Sequence, residues 1–346
     1  MGSIAHNEST VNVLEYVRSK SQVDVDSLDI GISDELGPFV DCTSNQADAY
    51  AEISQPQRAT VLHRSVALAK QILSEFPYVT FEELAFEISM VSLSLSIAPK
   101  IKGSILVMSN PLYCHSTPKI VENGHRLAEI CHRLEPNFDL SRLCIKVAST
   151  WEGLQACRKL KELGIKTLAT TLFTMEQAVL AAEVGCVSVS PFVHELKVHF
   201  DETYHDTDPI FDLCVEAQQY YKQHSYSTKV KACSVISMEE VLQLAGVAAF
   251  TIPPELLREL ATSHESEQKL ADLSLFQTPQ IKNAQRENNL QSFVDDEAKF
   301  RIAFTRRDDG KGQMKTIQAI NIFCDCQIQA EQLMRETEAH LADSGA

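Results

Sequence analysis

Residues 143–153 read LCIKVASTWEG. Lys146 stands inside the apolar part of this stretch, whose length and composition predict a buried β-strand. An isolated ammonium among aliphatic side chains is costly, and burial favours the uncharged amine, which is a nucleophile towards carbonyl groups. Ser149 and Glu152 have the spacing of a capping box, so we expect a helix to begin directly after the strand. A lysine in this position lies where α/β barrels carry their catalytic residues.

A second interpretation of Lys146 remains open at this point. A lysine on a barrel strand can extend its charged end to the mouth of the barrel, with no catalytic role. It can also pair with a buried carboxylate, as buried lysines usually do. The strand alone does not decide between these roles and a nucleophile.

The composition excludes several classes of partner. The chain has 346 residues and a net charge of −16, which argues against a nucleic-acid partner or an anionic membrane surface. No apolar stretch is long enough to span a membrane. The ten cysteines show no framework spacing, and with no signal peptide we expect a reducing, cytoplasmic setting. Without a nucleotide motif or a metal-ligand cluster, we expect neither a cofactor nor a metal.

Short apolar runs alternate with helix-period segments along most of the chain. Eight strands are predicted, at residues 23–30, 39–43, 104–108, 143–148, 167–173, 186–192, 229–235 and 248–252. Repeated strand–helix units indicate a parallel sheet, and eight units in roughly 250 residues indicate an α/β fold of the (β/α)8 TIM-barrel type. An open doubly wound sheet is the alternative, but no strand is followed by a glycine-rich phosphate turn. We expect a single domain, 1–346, with an N-terminal helix or arm (1–20), the barrel (21–264) and a helical tail packed on it (265–346).

Three motifs resemble the transaldolase family. Residues 145–153, IKVASTWEG, look like the family's Schiff-base signature, and residues 41–45, DCTSN, are similar to its early Asp-Ala-Thr-Thr-Asn run. Residues 190–193, SPFV, match the segment after its sixth strand. The resemblance extends from about Val11 to Glu336, so it implies the fold as well as the chemistry.

The resemblance also implies roles for individual residues. In that family a lysine forms an imine with a ketose or dihydroxyacetone unit, and an aspartate on the first strand is the general acid and base. By position Lys146 would be the imine lysine and Asp26 the aspartate. The resemblance places along the pocket Thr43, Asn45, Thr170, Ser190, Phe192 and Ser234. Strand periodicity agrees, because residues two apart, such as Asp24 and Asp26, share a face. Alternatively, such polar residues are merely satisfied by hydrogen bonds at strand ends.

The chain departs from the family at positions that contact the substrate. Glu195 and Ile236 stand where the family has two phosphate-binding arginines, and Leu106 stands where it has a glutamate on strand three. Leu168 replaces an asparagine. Losing two arginines removes two charge-assisted hydrogen bonds to a phosphate, and Glu195 is expected to repel one. The leucines and the isoleucine make the pocket more apolar, so we expect a substrate that lacks phosphate.

Three functions therefore remain open. The first is a transaldolase-like Schiff-base enzyme that makes or breaks a carbon–carbon bond in a hydrophobic, non-phosphorylated carbonyl compound of specialised metabolism. The second is an ordinary transaldolase of the pentose phosphate pathway. The third is a non-catalytic binding or regulatory relative, which the loss of the strand-three glutamate favours. The expected partner is a small carbonyl compound, and the resemblance implies that the chain forms a homodimer.

Overall fold

The computed structural model describes residues 10–276 and 292–343. Its strands are β1 (Thr10–Asn12), β2 (Gln22–Asp26), β3 (Cys42–Thr43), β4 (Ile105–Met108), β5 (Leu143–Ala148), β6 (Lys166–Leu172), β7 (Ser188–Pro191), β8 (Lys229–Ala232), β9 (Ala249–Ile252) and β10 (His264–Ser266). The helices in the first half of the chain are α1 (Val13–Lys20), α2 (Ile30–Leu36), α3 (Gln46–Ile53), α4 (Ala59–Ile72), α5 (Phe81–Ile97), α6 (Thr117–Leu134) and α7 (Trp151–Glu162). Those in the second half are α8 (Met175–Val184), α9 (Phe211–Gln223), α10 (Met238–Gln243), α11 (Pro254–Thr262), α12 (Glu267–Leu273), α13 (Glu297–Arg306) and α14 (Lys311–Asp343).

Strands β2 to β9 close into one barrel. They follow each other around the ring in chain order, every neighbouring pair is parallel, and β9 pairs with β2 to complete the closure. Each parallel step needs a crossover connection, and helices supply it between successive strands. The predicted (β/α)8 TIM barrel is confirmed.

Local side-chain hydrogen bonds decide where some elements begin and end. The strand predicted at residues 23–30 is too long, because β2 ends at Asp26 and Asp29 caps α2 by accepting from the amide of Gly31 at 2.9 Å. A capped helix start competes with extended backbone at these positions. The capping box predicted at Thr174 and Gln177 is confirmed at the start of α8.

The chain segments before and after the barrel meet outside it. Strand β1 pairs antiparallel with β10, with Thr10 opposite Ser266. The long helix α14 packs against α3 and α5. The predicted boundaries at 20 and 264 stay a prediction, and those parts of the predicted arm and tail that fall on residues 1–9, 277–291 and 344–346 lie outside the described residues.

Apolar clusters among the described residues support the barrel. A large core of aliphatic and aromatic side chains fills the space between the strands and the helices. Leu106, Cys144 and Leu168 form a separate small cluster. Complete burial of one Val, Leu, Ile, Phe or Met side chain stabilises a fold by about 1.5–3 kcal/mol relative to leaving it exposed. Within the two described ranges, none of the helices combines the length and the hydropathy that a bilayer span requires.

Candidate active site

Strand β5 holds Lys146 in a buried position. Its side chain is about 5 % exposed, and its neighbours in register are Met108 on β4 and Leu168 on β6. The Nζ atom donates to Thr43 Oγ1 at 3.3 Å. No carboxylate oxygen of residues 10–276 and 292–343 comes within 4.0 Å of this amine. The interpretation of Lys146 as the partner of a buried carboxylate therefore loses its support.

The turn after β5 is fixed by Thr150. Its Oγ1 accepts from the amide of Gly153 at 2.9 Å, so Thr150 is the N-cap of α7. The capping box predicted from Ser149 is wrong by one residue. Ser149 still pairs with β6 through its backbone, and its Oγ donates to the carbonyl oxygen of Thr170 at 2.6 Å. The helix nevertheless begins directly after the strand that carries the lysine.

Gly153 permits this tight turn. A Cβ atom at residue 153 would lie 2.1 Å from the carbonyl oxygen of Ala148, which is backbone and cannot rotate away. We expect Gly153→Ala to lower the free energy of unfolding by about 1–3 kcal/mol, because the strand end or the helix must shift. Urea denaturation measures this, with Lys159→Ala on the exposed face of α7 as the control. A loss no larger than that of the control would contradict the role assigned to Gly153.

A cavity of about 370 Å³ lies at the carboxyl ends of the barrel strands, beside Lys146. Among the described residues that line it are Asp26, Asn45, Asp48, Ser190, Phe192, Leu196, His199, Phe200, Ser234, Glu255 and Phe323. Another hollow of about 490 Å³ lies near Lys166, at the amino end of β6. Chemistry in parallel barrels is located at the carboxyl ends of the strands, so the cavity beside Lys146 is the candidate active site.

The structure brings together half of the residues predicted from the sequence. Those that line the cavity are Lys146, Asp26, Asn45, Ser190, Phe192 and Ser234. Thr43 reaches the site through its hydrogen bond to the lysine. Leu106 and Leu168 lie instead in the small apolar cluster, in contact with Cys144, two residues before Lys146 on β5. They pack with Cys144 and are not part of the cavity lining.

Glu195 and Ile236 are placed away from the cavity. Glu195 is buried, accepts a hydrogen bond from Tyr204 Oη at 2.5 Å, and lies 3.9 Å from the ammonium of Lys315. Gln318 on α14 donates to the same carboxylate at 2.6 Å. Ile236 is 52 % exposed. We therefore correct two expectations: Glu195 does not face the cavity to repel a phosphate, because partners from the tail hold it elsewhere, and Ile236 adds no apolar wall.

Backbone strain is present where β6 and β8 end. Thr171 has a φ of 52° and Ser234 a φ of 58°, in the left-handed region that residues other than glycine rarely adopt. Such positions cost on the order of 1–3 kcal/mol and cluster at functional sites. Next to this bend, the buried Oγ1 of Thr170 has no hydrogen-bond partner among the described residues. Thr170 lies outside the cavity lining, so its predicted contact with substrate stays a prediction.

Two carboxyl groups lie side by side in the cavity. Asp26 and Asp48 lie close enough to shift each other's pKa, and Asn45 Nδ2 donates to Asp48 Oδ2 at 2.6 Å. Burial raises the pKa of Asp26, against the opposing charge of Lys146. Burial and the neighbouring charge of Asp26 raise the pKa of Asp48 well above its usual range. A proton shared between two adjacent carboxyls of this kind removes the repulsion between them.

A second charged cluster lies deeper in the barrel, two residues before Asp26 on β2. The ammonium of Lys231 contacts the carboxylates of Asp24 and Asp41, the latter at 2.5 Å. Burial lowers the pKa of Lys231, but the two carboxylates outweigh it and the pKa is raised. Burial raises the pKa of Asp24. Burial acts in the same direction on Asp41, but its contacts with Lys231 and the amide of Ser104 outweigh burial and hold the pKa of Asp41 below its usual value. This cluster is internally paired and does not line the cavity.

Sequence reasoning missed Asp48 and Phe323. Asp48 stands in the first turn of α3, three residues after the predicted Asn45, so the spacing carries a signal. Phe323 comes from α14 and lies 177 residues from Lys146 in sequence. Nothing local marks it, because its place in the lining depends on how the tail packs over the barrel.

The comparisons with known proteins agree with this geometry. The model of the transaldolase/fructose-6-phosphate aldolase family matches residues 23–304. A transaldolase of Alteromonas mediterranea is 32 % identical over 275 residues, which covers 78 % of this chain and 85 % of the relative. A transaldolase of Shewanella oneidensis is 31 % identical over 257 residues, covering 73 % and 79 %. One of Glaesserella parasuis is 30 % identical over 259 residues, covering 73 % and 80 %.

A closed parallel barrel with a buried lysine beside carboxyl groups is the arrangement of enzymes that form lysine imines. The chain belongs to the transaldolase/fructose-6-phosphate aldolase family. It is an enzyme of the transaldolase or aldolase type, and the resemblance seen in the three motifs is confirmed. The interpretation as a non-catalytic relative is set aside.

Proposed function

We propose that Lys146 forms an imine with the carbonyl carbon of a ketose-like substrate, and that the enzyme transfers or releases part of that substrate by breaking a carbon–carbon bond. The observation that carries this proposal is a buried lysine without an ion-pair partner among the described residues, at the edge of a 370 Å³ cavity. An amine in this setting is available for attack on a carbonyl group. Asp26, which lines the same cavity, is the group we assign to proton transfer.

The names of the relatives support the ordinary transaldolase better than they support a specialised enzyme. All three relatives described above are called transaldolase, and each matches at least 73 % of this chain. An ordinary transaldolase would use fructose 6-phosphate as donor and erythrose 4-phosphate as acceptor. This is the candidate that similarity favours.

The cavity lining supports a second candidate, a donor without phosphate. None of the described lining residues is an arginine, and Asp26, Asp48 and Glu255 contribute carboxyl groups. Lys146 cannot both hold a phosphate and form an imine. Phe192, Phe200 and Phe323 supply apolar surface instead. A neutral, partly hydrophobic carbonyl compound fits this lining better than a phosphate dianion does.

A comparison of matched donors separates the two candidates. With unphosphorylated erythrose as acceptor for both donors, we expect measurable turnover of fructose and no advantage in kcat/KM for fructose 6-phosphate. The reason is that a phosphate gains about 1.5–3 kcal/mol from each charge-assisted hydrogen bond, and the described lining offers no arginine to form one. A preference for fructose 6-phosphate of about 100-fold or more would instead establish the ordinary transaldolase.

Two further expectations accompany the proposal. A cytoplasmic location is supported by the ten cysteines, all of which are free, as a reducing compartment would keep them. A homodimer remains a proposal that rests on the family resemblance. The mass of the native protein in solution tests whether it is a homodimer.

A further inference from the structure

We propose that Asp48 and Asp26 act as one proton-sharing pair, and that Asp48 supplies the proton consumed when water leaves during imine formation. This inference rests on the proposed function of Lys146, which it deepens. It assigns a catalytic role to Asp48, a residue that the sequence motifs did not mark.

The start of α3 holds Asp48 in place. Asn45 is the N-cap, and its Oδ1 accepts from the amides of Ala47 at 2.8 Å and Asp48 at 3.1 Å. The amide nitrogen of the same side chain donates to Asp48 Oδ2 at 2.6 Å. One asparagine thereby fixes both the helix start and the orientation of the carboxyl group. The Asp48 side chain lines the cavity together with Asp26 and Lys146.

The two carboxyl groups need a proton between them. Asp26 Oδ1 is buried, and no amide, ammonium or hydroxyl donor of the described residues reaches it. Two ionised carboxylates at hydrogen-bond distance repel each other, and a shared proton converts that repulsion into a hydrogen bond. The proton belongs on Asp48, since burial and the charge of Asp26 raise the pKa of Asp48 well above its usual range, whereas burial raises the pKa of Asp26 less far against the charge of Lys146.

Titratable groups surround the pair on several elements. They are Lys146 on β5, Cys42 on β3, Cys233 after β8, His199 before α9, Glu255 on α11 and Cys326 on α14. Burial raises the pKa values of the three thiols, so they stay protonated near neutral pH. Lys146 is the group whose charge changes in the reaction.

With this carboxyl pair, the protons and charges of imine formation balance. The uncharged amine of Lys146 attacks the carbonyl carbon, and proton transfer from nitrogen to oxygen gives a neutral carbinolamine. The carbon–oxygen bond then breaks, its electron pair leaves with the hydroxyl group, and Asp48 gives that group a proton to form water. The nitrogen lone pair forms the iminium bond. The pair changes from one negative charge to two while Lys146 becomes a cation, so the net charge of the site is constant.

Cleavage of the carbon–carbon bond returns the proton. The dianionic pair removes the proton from the hydroxyl group on the carbon β to the iminium carbon. That oxygen's electrons form the new carbonyl group, the carbon–carbon bond breaks, and its electron pair neutralises the iminium to an enamine. The pair is again singly protonated. The dianionic pair is a stronger base for this step than a lone aspartate, because taking up the proton removes the repulsion between the two carboxylates.

A purely structural role for Asp48 is the competing explanation. A carboxylate in the first turn of a helix stabilises that helix by about 0.3–1 kcal/mol, because it interacts favourably with the positive end of the helix dipole. Such a role would affect stability, but it would leave the pH dependence of imine formation unchanged. The test therefore needs a kinetic readout in addition to a measurement of folding.

Asp48→Asn is the central variant, with Asp212→Asn, an exposed aspartate in the first turn of α9, as the matched control. We expect Asp48→Asn to lower kcat by about 10²–10⁴-fold with little change in KM. The rate of borohydride-trapped adduct formation in the wild type should fall on the alkaline side as Asp48 loses its proton. In Asp48→Asn this fall in rate, the alkaline limb of the pH profile, should be absent. In Asp48→Glu it should return in part.

The outcomes separate this inference from the proposed function. If the wild type forms an adduct on Lys146 but Asp48→Asn keeps wild-type kcat and the same alkaline limb, the pair mechanism is overturned and the imine stands. If no carbonyl compound forms an adduct with the wild type, both fall. Should Asp48→Asn not fold, infrared spectroscopy of the wild type decides. We expect the carbonyl band of a protonated aspartic acid at neutral pH, and its absence would overturn the inference.

Discussion

Lys146→Met is expected to eliminate covalent trapping of a carbonyl substrate and to reduce turnover by on the order of 10⁴-fold or more, the scale seen when a catalytic nucleophile is removed. Methionine keeps an unbranched side chain, one atom shorter, and removes the amine. Intact-mass analysis after borohydride reduction measures the adduct, and a coupled assay measures turnover. An adduct of unchanged yield in Lys146→Met would show that another residue is the nucleophile.

The same substitution should not weaken the fold. Among the described residues, Lys146 Nζ has a single hydrogen-bond partner, Thr43 Oγ1 at 3.3 Å, and Cys144, two residues earlier on the strand, packs in an apolar cluster. Replacing a poorly satisfied buried amine by a thioether is expected to leave the free energy of unfolding unchanged or to raise it. Lys166→Met, at the exposed start of β6, is the matched control for loss of one positive charge. A large loss of stability in Lys146→Met alone would favour a structural role.

Lys231→Met is expected to give the largest loss of stability, about 3–5 kcal/mol, because it leaves Asp24 and Asp41 buried without their cation. Breaking a buried charge cluster by removing one partner is more damaging than replacing the whole cluster. Urea denaturation measures the loss. Lys229→Met, two residues earlier on the same strand and exposed, is the control. A loss equal to that of the control would contradict the importance of the cluster.

The pH dependence of Lys231→Met gives a second check with a definite sign. Without Lys231, burial raises the pKa values of Asp24 and Asp41 in the folded state above the unfolded value of about 3.9. The folded state then binds more protons than the unfolded state, so stability falls as pH rises through that window and recovers as pH is lowered. The deficit relative to the wild type should therefore shrink towards acid pH. If Lys231→Met does not fold, the triple variant with Asp24→Asn and Asp41→Asn should restore part of the stability.

Much of the barrel follows from local patterns. Apolar runs of strand length, separated by amphipathic helices, predicted the number and order of the barrel strands, and the structure closes them into one ring. The errors fall at the ends of elements. Residues 27–30 have extended-looking composition, but Asp29 caps a helix there. Ser149 and Thr150 are both able to cap, and the pairing of Ser149 with β6 decided between them.

Residues that line the cavity were predicted from the sequence only where the alternation of side chains along a strand, or the position of a residue in a motif, constrains them. Lys146, Asp26 and Ser190 sit on strands whose faces alternate, so burial of one residue fixes the direction of its neighbours. Glu195 and Ile236 lie in loops, where no periodicity constrains the side chain. Contacts with Tyr204 and with Lys315 of the tail turned Glu195 away from the cavity.

By itself the sequence determined that a lysine would be buried on a parallel strand, directly before a helix, because residue polarity and periodicity act over a few neighbouring residues. Only the tertiary structure decided which groups meet that lysine. The proximity of Asp26 and Asp48, the packing of Leu106 against Leu168, and the place of Phe323 in the cavity lining all join segments that are distant in sequence. Closing the ring of strands sets these distances, and proton sharing between two carboxyls depends on distance far more than on composition.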